Sequence, residues 1–165
     1  MKVCFRADAS LKIGTGHIMR CLTLADALKE SNVDVSFICR EHEGNLISFI
    51  ESKNYAVYTL HIYKKNKQDN KLAHAEWLGV TQEQDAQECE VILNDLKPDW
   101  LIVDHYALDI EWENYLKAYY KKLMVIDDLA DRKHCCNLLL DQTYGRDKKD
   151  YLKLTPLDCE LLLGS

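Results

Sequence analysis

Short apolar runs recur along this chain with helical patterns between them, and several of the runs are apolar at every position. Trp100–Val103 and Leu123–Ile126 are the clearest. A strand with one wet face alternates polar and apolar residues. A run that is apolar throughout must be covered on both faces, and neighbouring parallel strands need a crossover long enough to hold a helix. The pattern therefore points to an α/β fold: a doubly wound, mostly parallel sheet with helices on both faces. The predicted strands are Lys2–Arg6, Val33–Cys39, Tyr55–Leu60, Trp100–Val103, Leu123–Ile126, Leu138–Leu140 and Leu161–Leu163. The predicted helices are Gly16–Lys29, Leu46–Ser52, Thr81–Leu96 and Glu111–Tyr120. Ile18, Cys21, Leu22, Ala25 and Leu28 share one face of the first. Thr81 caps the third, with Gln84 as its capping-box partner and Pro98 just past its end. The lysine-bearing stretch Tyr63–Lys71 reads as a solvated loop.

At 165 residues the chain has the length of one domain, 1–165. It carries 21 Lys+Arg against 27 Asp+Glu, a net charge of -6. That balance excludes a sequence-independent nucleic-acid surface or an anionic-membrane surface, both of which need a basic excess. No run approaches the roughly 18 apolar residues of a membrane span, and Met1–Ala7 is too short and mixed for a secretory signal. The expected location is the cytoplasm. The seven cysteines are irregularly spaced and several sit inside apolar runs. They read as reduced, buried small hydrophobes. Cys135 and Cys136 beside His134 do not complete a four-ligand metal set.

Open parallel sheets bind ligands at the carboxyl ends of their strands. Arg6, Asp8 and the loop 9–17 follow the first strand; Asp104, His105 and Tyr106 follow the fourth; Asp127 and Asp128 follow the fifth. In Ile13-Gly-Thr-Gly-His-Ile-Met-Arg20, two glycines let backbone approach a ligand and the following helix aims free N–H groups into the same space. His17 lies in the first turn, where the helix dipole favours neutral imidazole, a form able to act as a general base. Arg20, three residues on, shares its face. Met19 stands where a dinucleotide fingerprint would have its third glycine, and no Gly-Lys-Ser/Thr follows, so neither an NAD site nor a P-loop is indicated. For Asp104, Asp127 and Asp128, hydrogen bonding to backbone at a strand end is the common fate of such residues.

Arg6-Ala-Asp-Ala-Ser10 with Ile13-Gly-Thr-Gly-His-Ile-Met-Arg20 resembles the opening of the UDP-2,4-diacetamido-2,4,6-trideoxy-β-L-altropyranose hydrolases of pseudaminic acid biosynthesis. Glu76-Trp-Leu-Gly-Val-Thr-Gln-Glu-Gln-Asp85, Asp104-His-Tyr106, and Asp127-Asp-Leu-Ala-Asp-Arg132 running to Leu138-Leu-Leu-Asp-Gln142 are similar to that family too. The resemblance implies the N-terminal, Rossmann-like domain of a GT-B architecture. His17 would be the base that activates water at the anomeric carbon and releases UDP with inversion. Arg6, Asp8, Gly14, Thr15, Gly16, Arg20 and Tyr106 would line the substrate site. It implies a UDP-sugar substrate, no cofactor and no metal, and a second, nucleotide-gripping C-terminal domain absent from this chain. The alternatives are a glycosyltransferase-like domain serving another acceptor and a non-catalytic binding domain.

Overall fold

The computed structural model describes residues 1–63 and 72–164; most of the lysine-bearing stretch expected as a loop lies outside them. Seven strands form one sheet: β1 (Lys2–Ala7), β2 (Asp34–Arg40), β3 (Ala56–Leu60), β4 (Trp100–Asp104), β5 (Lys122–Ile126), β6 (Leu138–Asp141) and β7 (Glu160–Leu163). All pairings are parallel, in the order β3-β2-β1-β4-β5-β6-β7. The helices are α1 (Gly16–Glu30), α2 (Ile47–Ser52), α3 (Gln82–Leu96) and α4 (Ile110–Tyr115).

The fully apolar strands are explained by two cores, one on each face. Val3, Phe5, Ile102, Met124 and Ile126 pack with Ile18, Cys21, Leu22 and Ala25 of α1 and Ile50 of α2. Their chain neighbours Cys4, Leu101, Val103, Leu123 and Val125 point the other way, onto Ala86, Cys89 and Leu93 of α3 and Trp112 of α4. Successive side chains of a strand face opposite sides, so one run feeds both cores.

One expectation needs correction. The fourth helix was expected to reach Tyr120 but ends at Tyr115. The Tyr120 hydroxyl donates to the Glu113 carbonyl at 2.9 Å, which a further turn would have used, and the Lys117 N–H turns back to Asn114 at 3.3 Å. Thr81 does cap α3, accepting the Gln84 N–H at 3.1 Å, while the Gln84 side chain donates to Glu88 at 3.1 Å.

Candidate active site

The strand order sets β1 beside β4, with Ala7 in register with Asp104. From β1 the chain passes into α1 on one face; from β4 it passes into α4 on the other. A crevice opens outside the carboxyl ends at such a switch point. The loop after β1 and the segment after β4 therefore leave the sheet side by side at this edge.

Local hydrogen bonding shapes the first loop. Ser10 Oγ accepts the N–H groups of Ile13 at 2.9 Å and Lys12 at 3.2 Å, and the Gly14 N–H returns to the Ser10 carbonyl at 2.8 Å. The turn holds Gly14 at φ +78°, a region that disfavours side chains. Gly16 has no such constraint, and a Cβ on either glycine would meet nothing within 4 Å. Both backbones thus border open space. Thr15, exposed, does not cap α1 through its side chain, and among the described residues no side chain accepts the first-turn N–H groups.

His17 is nearly buried, at 8% exposure. Its Nδ1 lies 2.5 Å from Asp104 Oδ1. A carboxylate only accepts, so Nδ1 carries the hydrogen and Nε2 keeps a lone pair when the ring is neutral. Among the described residues nothing bonds Nε2. Arg20 grips both oxygens of Asp104, Nε to Oδ2 at 2.5 Å and Nη2 to Oδ1 at 2.6 Å, and its Nη1 reaches Asp128. Tyr106 donates its hydroxyl to the same Asp128 oxygen at 2.9 Å. Burial alone would raise the pKa of Asp104; the bonds from Arg20 and His17 outweigh it and hold the carboxyl below its ordinary range. Burial, then the bond to Asp128, pushes the Tyr106 hydroxyl up to about 12, so it remains a donor at neutral pH.

The structure therefore brings together His17, Arg20 and Tyr106, with Gly14, Thr15 and Gly16 alongside. Arg6 and Asp8 lie apart from this group, both at 0% exposure. Arg6 donates to Asp8 at 2.6 Å and, through Nε and Nη2, to Asp85 at 3.2 and 2.7 Å. Arg40 joins Asp85 at 2.8 Å and donates its backbone N–H to Asp8 at 2.7 Å. His105 Nε2 lies 3.2 Å from the other Asp8 oxygen, while its Nδ1 accepts the Ala107 N–H at 3.1 Å. These charges bind the ends of β1 and β2 to α3.

Of the three strand-end aspartates, only Asp127 takes backbone in the expected way, accepting the Ala130 N–H at 3.0 Å together with Arg132 at 2.7 Å. Asp104 and Asp128 serve side chains instead. Asp85, Trp77 and His74 lay within or beside a stretch that carried the family resemblance, yet nothing in their spacing assigned them a role.

The buried layer makes stability depend on pH. Burial by itself would raise Asp8 and Asp85; Arg6 chiefly, with His105 and His42 for Asp8 and Arg40 for Asp85, holds both below the ordinary 3.8. Burial keeps His105 below 6.5. In each case the unfolded chain binds more protons, so stability is full above about pH 6.5 and falls as pH drops through that value and then through 3.8. Urea midpoints measured from neutrality to about pH 3 should fall steadily; a constant midpoint would contradict this account.

No family model matches the chain. It is 33% identical over 165 residues to the UDP-2,4-diacetamido-2,4,6-trideoxy-beta-L-altropyranose hydrolase of Campylobacter jejuni, covering 99% of this chain and 50% of that protein. The chain is related to that hydrolase along nearly its whole length. It spans half the length of that relative. An uncharacterized protein of Methanocaldococcus jannaschii is 23% identical over 128 residues, 78% of this chain and 22% of that one. Among solved structures, MurG of Acinetobacter baumannii superposes with a TM-score of 0.61 at 12% identity, over 97% of this chain and 44% of MurG. UDP-GlcNAc 2-epimerase of Methanocaldococcus jannaschii gives 0.57 at 17% identity, over 87% and 40%. These likenesses bear out the Rossmann-like, GT-B-type fold.

Proposed function

We propose that this chain is the base-bearing domain of a hydrolase that releases UDP from UDP-2,4-diacetamido-2,4,6-trideoxy-β-L-altropyranose, in pseudaminic acid biosynthesis. The observation that carries the reading is the His17–Asp104 pair at the switch point, with its Nε2 lone pair unclaimed. A water at the anomeric carbon gives its proton to Nε2 as its oxygen bonds to that carbon. The bond from carbon to the diphosphate oxygen breaks on the opposite face, its electron pair leaving with UDP, and configuration inverts. Asp104 stabilises the imidazolium that forms. Charge growing on the diphosphate needs donors. Arg20 already serves two aspartates, so first-turn N–H groups of α1 supply them on this side. A second domain, consistent with the half-length match, grips the uridine. No helix among the described residues is long and apolar enough to cross a membrane, and a cytoplasmic setting belongs to the same proposal.

Asp104→Asn should lower turnover by about a hundredfold or more, because an amide can donate to Nδ1 and so favour the wrong tautomer. The assay is UDP release by the complete two-domain enzyme in water with no sugar acceptor. Release there supports hydrolysis; release only on adding an acceptor alcohol would replace it with a transferase.

A further inference from the structure

Three partly buried rings gather at His17. Tyr106 meets the imidazole edge-on at 4.6 Å, and Trp77 does so at 6.3 Å. His74 lies 4.3 Å from Trp77 and 5.6 Å from Tyr106, and the Trp77 and Tyr106 planes are within 28° of parallel. Tyr106 follows β4, whereas His74 and Trp77 belong to the one-turn segment Ala75–Leu78 and its start. That segment is anchored without Trp77: Leu78 and Val80, at 1% and 2% exposure, enter the core. Gly79 ends the turn at φ +77°, where a Cβ would press on His42 at 3.0 Å. Glu76 reaches across to Lys12 of the glycine loop at 3.7 Å. The fold thus spends a tryptophan on the crevice wall rather than on the core.

We infer that Trp77, with His74 and Tyr106, forms a wall that receives the methyl groups of a deoxy, acetamido sugar, making Trp77 a specificity-determining residue. This rests on the hydrolase reading above and names the part of the substrate the wall reads. A 2,4-diacetamido-2,4,6-trideoxy hexose carries a C6 methyl and two acetyl methyls where an ordinary hexose carries hydroxyls. Methyl groups gain by leaving water for aromatic faces. A hydroxyl pressed onto the same wall loses its hydrogen bonds to water without a replacement, which discriminates against hydroxylated sugars.

Two measurements test the wall separately from the reaction. In saturation-transfer NMR with this chain and the free diacetamido-trideoxy sugar, the three methyl signals should receive saturation in the wild type. They should lose it in Trp77→Ala and keep it in Trp77→Phe. No transfer in the wild type, or equal transfer in Trp77→Ala, overturns the inference. In the complete enzyme, Trp77→Ala should raise KM for the UDP-sugar about tenfold with kcat little changed. The preference over UDP-N-acetylglucosamine should fall by about the same factor, and Trp77→Phe should restore most of both. Equal slowing of the two substrates would show a packing role and overturn it. A wild-type enzyme that releases no UDP while the methyl contacts persist would sink the hydrolase reading and leave the wall supported.

Discussion

Replacing His17 with asparagine should reduce UDP release by about two to four orders of magnitude while the domain stays folded. The expectation follows from what the variant keeps and removes. An asparagine amide can still donate to Asp104, which now receives bonds from both His17 and Arg20. Asparagine has no titratable nitrogen, so the proton of the attacking water has nowhere to go. The side chain stands in the first turn of α1 at the crevice, outside both apolar cores, so little packing is lost. Circular dichroism and the urea midpoint should match the wild type. Unchanged UDP release by the complete enzyme carrying His17→Asn would remove His17 from its proposed role.

The largest stability effect should come from Asp85→Ala. Asp85 accepts from Arg6 at 2.7 and 3.2 Å, from Arg40 at 2.8 Å and from the Trp112 indole at 2.9 Å, all within the buried layer. Removing it leaves two guanidinium groups at 0% exposure short of a counter-charge. Breaking a buried ion pair from one side costs about 3–5 kcal/mol, against a total stability of about 5–15 kcal/mol for a domain. Urea unfolding at neutral pH should show a marked fall in midpoint, and a loss below about 1 kcal/mol would mean that the network contributes little. Arg6 and Asp8 act through this layer: their position after β1 suggested a place in the site, and their depth gives them the work of holding the strand ends that carry it.

The legible parts of the molecule were those governed by short-range rules. Strands apolar at every position require two covered faces, and the two cores divide neighbouring residues such as Cys4 and Phe5 between those faces. His17 and Arg20 share a helix face because they are three residues apart. The α4 end was misread because it is settled by the Tyr120 hydroxyl taking a carbonyl, a contact that propensity does not register.

The sequence alone determined the alternation of strands and helices and the carboxyl-end placement of the polar residues. The tertiary structure decided which polar groups meet. Asp104 reaches His17 and Arg20 across 87 and 84 residues, Asp128 reaches Arg20 across 108, and Asp85 reaches Arg6 across 79. Such pairs exist only once strand order sets β1 against β4 and lays α3 beneath them. Periodicity reports the face a residue occupies, and the partner it meets there depends on that order.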